Sequence, residues 1–218
     1  MRVLDLAPVI PVVAVREVAH AVPLARALLA GGLPVIEITL RTAAALDAVR
    51  AIVAEVPELT VGAGTICSTA QAEQAADAGA AFLVSPGATD RLLDAMQDCG
   101  LPFLAGTATA SDMLRLLERE ITEAKLFPAA AVGGLALLRA VSGPLPQLRF
   151  CPTGGVSPAN AAQYLALPNV GCVGGSWLAP AEVLAARDWA RIETLARAAA
   201  ALRPRRPDAI DEDQPASR

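Results

Sequence analysis

The sequence predicts an α/β protein with a (β/α)8 barrel, the TIM-barrel class, and three observations predict it. Short runs rich in Val, Ile and Phe alternate with longer Ala/Leu-rich stretches about eight times along the 218 residues. Hydrophobic residues make up 54% of the chain but aromatics only 3%, so the core must be aliphatic. That composition suits parallel strands buried on both faces beneath Ala-rich helices. Regular strand–helix alternation implies parallel strands with right-handed crossovers, and eight units in about two hundred residues fit a compact barrel. No G-x-G-x-x-G follows the first strand, which counts against a doubly wound, dinucleotide-binding sheet.

The first strand is expected over 9–15, an apolar run too short to span a bilayer and interrupted by Pro11. The remaining strands follow at 35–40, 60–65, 82–85, 103–106, 123–127, 149–153 and 171–174. Between them, helices are expected over 19–30, 43–56, 70–78, 90–99, 111–119, 134–141 and 158–165, with a last helix over 181–202. Ser111 reads as a helix cap, and Ser157-Pro158 reads as a cap with proline at the first helical position. Gly31-Gly32, Gly79 and Gly100 read as helix stops. One domain is expected over 1–202. The stretch 203–218 has three prolines and mixed charge, nothing to bury, and reads as a disordered tail.

The formal net charge is −4 and no basic block marks the body of the chain, which argues against a nucleic-acid partner. No segment is a membrane span. The four cysteines, Cys67, Cys99, Cys151 and Cys172, form no C-x-x-C pair, and His20 is the single histidine. No metal site is expected from that set. Reduced, buried thiols in a cytoplasmic protein are the simpler reading.

Strand parity points to a polar interior, because side chains alternate faces along a strand. In the second strand Ile36, Ile38 and Leu40 share one face, while Val35, Glu37, Thr39 and Arg41 share the other. In the sixth, Glu123, Lys125 and Phe127 lie together; in the seventh, Arg149, Cys151 and Thr153; in the third, Val61, Ala63 and Thr65. Glu37, Arg41, Thr65, Lys125, Phe127 and Thr153 are thus expected to converge at the C-terminal mouth, where barrel enzymes place their chemistry. A carboxylate inside an Ile/Val-rich strand needs a partner or a task.

Lys125 is the one lysine beside 17 arginines. Arginine cannot replace lysine as a nucleophile, because the guanidinium does not give up its proton to attack a carbonyl. Burial inside a barrel with Arg41 nearby favours the neutral amine that such attack needs. Two glycine-rich segments, Thr153-Gly154-Gly155 and Gly174-Gly175-Ser176, leave the seventh and eighth strands. Loops in those places often bind phosphate through backbone N–H groups.

These segments together resemble the 2-keto-3-deoxy-6-phosphogluconate (KDPG) aldolase and 4-hydroxy-2-oxoglutarate aldolase family. The resemblance is carried by Val35-Ile36-Glu37-Ile38-Thr39-Leu40-Arg41-Thr42, Val61-Gly62-Ala63-Gly64-Thr65, Ser85-Pro86-Gly87, Lys125-Leu126-Phe127-Pro128, Phe150-Cys151-Pro152-Thr153-Gly154-Gly155 and Gly174-Gly175-Ser176-Trp177-Leu178. It implies a class I aldolase that uses a Schiff base at Lys125 and no metal, with Glu37 as general acid/base. It further implies that Arg41 and Thr65 hold the pyruvoyl portion, that Pro86 and Phe127 line the pocket, and that Thr153 bears on substrate choice. Gly154, Gly155, Gly175 and Ser176 correspond to the phosphate site. The implied substrate is a phosphorylated keto acid and the implied assembly a homotrimer. Two readings stand beside it: an aldolase for the galactonate epimer, and a phosphate-binding barrel isomerase or synthase without imine chemistry. The run Ala129-Ala130-Ala131-Val132 departs from the family pattern, which has Glu near 130 and Asn near 132.

Overall fold

A computed structural model describes residues 1–202; the expected tail lies outside the described residues. Eight parallel strands form the barrel wall. They are β1 (Val9–Val13), β2 (Val35–Thr39), β3 (Thr60–Gly64), β4 (Phe82–Val84), β5 (Phe103–Thr107), β6 (Glu123–Leu126), β7 (Arg149–Pro152) and β8 (Val173–Gly175). Their order is β7-β6-β5-β4-β3-β2-β1-β8, and bridges Phe150↔Val170 and Thr153↔Gly174 bring β7 to β8 and close the ring. Outside run α1 (Ala21–Ala30), α2 (Ala45–Glu55), α3 (Thr69–Asp77), α4 (Asp90–Asp98), α5 (Ala110–Leu117), α6 (Gly134–Ser142), α7 (Ala161–Leu165), α8 (Ala181–Ala185) and α9 (Trp189–Ala200).

Parallel register fixes which side chains share the interior. Val12, Glu37, Gly62 and Phe82 stand in one row across β1 to β4, and Gly106, Lys125 and Cys151 in another across β5 to β7. Glycine at 62 makes room for the Phe82 ring, since a Cβ there would come within 2.2 Å of it. Small beside large fills the interior without voids. On the outer side Ile36, Ile38, Ala124 and Leu126 are fully buried beneath the helices. Below, Val3 and Leu4 are buried, and Arg149 reaches Asp5 at 2.8 Å and Glu123 at 3.8 Å, stitching the segment before β1 to the strand starts. Burial raises the Glu123 carboxyl above its ordinary range, only partly opposed by backbone N–H groups of Leu4 and Val3 and by Arg149.

Four local expectations need correction. In β3, Gly62 and Gly64 face the interior; Val61 and Ala63 do not, because a Cβ on Gly64 would meet the Glu37 carboxylate at 2.0 Å. The cap of α5 is Thr109, not Ser111: its hydroxyl accepts from Asp112 N while the Asp112 carboxylate accepts from Thr109 N, a complete capping box. Ser157-Pro158 opens a turn, and α7 starts at Ala161 after Asn160 folds back on that turn. The expected long last helix is two, broken where Arg187 takes a φ of 54° and Asp188 caps α9 by accepting from Arg191 N.

Candidate active site

At the C-terminal mouth lies a cavity of about 360 Å3, lined at its base by Val12, Glu37, Thr39 and Lys125. Lys125 and Glu37 come from β6 and β2, on opposite sides of the barrel, and both strands aim their odd-numbered residues inward. The Lys125 Nζ donates to Glu37 Oε1 at 3.1 Å and Oε2 at 3.4 Å, with side chains only 7% and 4% exposed. Two opposite charges taken out of water hold each other here, and removing one leaves the other buried and unpaired. The Phe127 ring centroid lies 5.5 Å from Nζ. Behind the lysine, Thr107 Oγ1 donates to the Lys125 carbonyl at 3.1 Å and fixes its backbone.

Arg41 stands one turn of chain beyond β2, exposed at the mouth. Its Nε donates to Thr39 Oγ1 at 3.2 Å, and that hydroxyl donates to Val13 O at 3.2 Å, so the guanidinium is anchored through a buried threonine. Thr65 lines the same cavity, brought there by a left-handed φ of 62° that breaks the alternation of β3. Pro86 and Phe127 line it as well, from the ends of β4 and β6. Thr153 is buried, its hydroxyl donating to Cys151 O at 3.4 Å and lying 3.7 Å from Cys151 Sγ. Deeper still, the hydrogen bond to Cys151 and then burial push the Cys172 thiol well above its ordinary range.

The upper part of the cavity is built differently. Gly154, Gly155, Val156, Gly174 and Ser176 line it. Gly154 and Gly155 hold φ values of 93° and 80°, open to glycine and strained for other residues. Successive backbone amides in such a turn form an anion-binding concavity. Every site residue expected from the sequence lines the cavity except Gly175, whose place is taken by Gly174; a Cβ on Gly175 would strike the Trp177 ring instead. Val12 and Val156 line it too: Val12 is hidden in an apolar run, and a valine within a glycine loop carries no polar signal. Among the described residues, no group of three or more His, Cys, Asp or Glu side chains is placed to hold a metal ion.

This arrangement offers an amine nucleophile, a carboxylate to move protons, one cation and a neutral anion cradle. A family model described as KDPG and KHG aldolase matches residues 1–195. A KHG/KDPG aldolase of Escherichia coli is 50% identical over 197 residues, 90% of this chain and 92% of that one. A KDPG aldolase of Legionella pneumophila, solved with pyruvate captured as a covalent carbinolamine, superposes with a TM-score of 0.89 at 43% identity, over 91% of this chain and 96% of that one. The Zymomonas mobilis enzyme solved with 3-phosphoglycerate gives a TM-score of 0.87 at 44% identity, over 92% and 94%. The amine, carboxylate and glycine cradle thus sit on a barrel whose relatives share nearly its whole length, and the chain belongs to the KDPG and KHG aldolase family.

Proposed function

We propose that the protein is a class I aldolase that cleaves 2-keto-3-deoxy-6-phosphogluconate to pyruvate and glyceraldehyde 3-phosphate, and also acts on 4-hydroxy-2-oxoglutarate. The observation that carries this is the buried contact of 3.1 Å between the sole lysine and Glu37 at the base of the cavity. Glu37 takes a proton from the Lys125 ammonium, and the freed amine attacks the C2 carbonyl. A proton passes from the nitrogen to the carbonyl oxygen to give a carbinolamine, and Glu37 then returns its proton to the departing hydroxyl. Loss of water leaves a protonated imine. The Glu37 carboxylate then accepts the C4 hydroxyl proton as the C3–C4 bond breaks, and the bond's electron pair moves into the imine to form an enamine. The aldehyde departs. Protonation at C3 and addition of water release pyruvate and restore the amine. The imine is the electron sink, so no metal cofactor is required.

Arg41 receives the substrate carboxylate by charge-assisted hydrogen bonds and holds C2 over Lys125. Thr65, Pro86 and Phe127 close around the pyruvoyl part, and Thr153 faces the middle of the chain. Gly154, Gly155 and Ser176 take the phosphate end, with Gly174 in the place expected for Gly175. The carbinolamine seen in the Legionella enzyme and the 3-phosphoglycerate in the Zymomonas enzyme support both halves of this reading.

The decisive test reduces the protein with borohydride in the presence of pyruvate and maps the modified peptide. An adduct on Lys125 is expected; no adduct, or one elsewhere, overturns the reading. Assays with the gluconate-derived substrate and its galactonate epimer then decide which is preferred, and faster turnover of the galactonate compound would reverse the assignment. A homotrimer in the cytoplasm belongs to the same proposal, with light scattering to count the chains. No helix among the described residues is long and apolar enough to cross a membrane.

A further inference from the structure

The loop from β7 to α7 contains no cationic side chain, so its hold on an anion depends on its backbone amides and neutral side chains. Its carbonyls are tied back one after another. Thr153 O accepts from Ala129 N at 2.8 Å and Gly154 O from Ala130 N at 2.9 Å. The next carbonyl, Gly155 O, accepts from Asn160 Nδ2 at 3.0 Å. The same side chain's Oδ1 accepts from Ser157 N at 2.8 Å. Gly155 N and Val156 N donate to no protein group among the described residues, and both residues line the cavity.

We propose that Asn160, which does not itself line the cavity, is the positioning residue for the distal anion. Its amide grips the loop on either side of Val156 and turns the Gly155 and Val156 amides toward the substrate's phosphate. A carbonyl left free at Gly155 would let that peptide rotate, and the positive φ that opens the cradle would no longer be over-determined. Asn160 therefore acts on the phosphate end alone, some distance from Lys125, and it sets how strongly the enzyme prefers phosphorylated over unphosphorylated keto acids. This rests on the phosphate reading of the loop.

The test compares Asn160→Ala and Asn160→Ser with the unchanged protein, the serine variant keeping a polar group too short to span both Gly155 O and Ser157 N. Three quantities are read: kcat/KM on the phosphorylated substrate, kcat/KM on its unphosphorylated counterpart, and exchange of the pyruvate methyl protons with solvent. For both variants the first is expected to fall about tenfold, chiefly through KM, as the loss of two modest hydrogen bonds implies. The other two are expected to stay within about twofold. Equal losses on both substrates, or an unchanged preference in either variant, would overturn the proposal. Failure of the unchanged protein to prefer the phosphorylated substrate would instead sink the phosphate reading itself.

Discussion

The two ends of the cavity solve the same problem, holding a charge in place, by opposite means. At the base, charge sits on side chains: Lys125 and Glu37 are buried within 3.1 Å of each other on two rigid strands. At the rim, the cradle proposed for the phosphate is a turn whose glycines stand at φ values of 93° and 80°, with backbone amides rather than charged side chains. The base therefore depends on which functional group is present, and the rim on what shape the chain takes. Chemistry at the base is expected to be lost with the functional group, and binding at the rim with the shape of the turn.

That contrast orders the expected effects. Lys125→Arg keeps the charge and removes the nucleophile, so kcat should fall by at least about four orders of magnitude. Residual turnover above that level would show that the base works electrostatically. Glu37→Gln should lower kcat by about 10²- to 10⁴-fold, the range for loss of a general acid/base, while KM moves little. A change confined to KM would make Glu37 a mere partner of the lysine. Gly155→Ala places a Cβ 2.3 Å from the Ala130 Cβ at a φ of 80°. It should raise KM for the phosphorylated substrate by about one order of magnitude through strain in the turn, leaving pyruvate trapping at Lys125 intact. Loss of trapping as well would couple the two ends and break the contrast. Thr109→Ala removes the α5 cap, outside both ends, and should cost about 1 kcal/mol in thermal unfolding with no change in substrate preference.

Much of the base was legible in the sequence because β2 and β6 are regular. Strict alternation placed Glu37, Arg41 and Lys125 on one face, and register then needed only to bring two strands across a barrel. The third strand shows where that logic stops. Thr65 reached the cavity as expected, but by a left-handed residue after the strand, while Gly62 and Gly64 occupy the inward face. A glycine facing inward leaves no polarity to detect; its signal is the space it yields to Phe82 and Glu37. The break between α8 and α9 was hidden because Arg187 is not a residue that advertises a positive φ. Asn160 was hidden too, since its role depends on two backbone atoms three and five residues earlier. Ala130, where the family pattern has Glu, touches the rim through its backbone N–H, which donates to Gly154 O, and through its Cβ, which sits beside Gly155.

The floor of the barrel carries buried Val3 and Leu4 and the Asp5–Arg149–Glu123 stitch, and the cavity lies at the opposite end, at the C-terminal mouth. Depth within it then dictates the order of departure. The reacting nitrogen lies at the base, while Gly155 and Ser176 are exposed at the threshold. The aldehyde fragment stands between the covalently held three-carbon remnant and solvent, so it must exit first. Pyruvate, released last from the empty pocket, competes directly with incoming substrate, and the enzyme senses the accumulation of one product more sharply than that of the other.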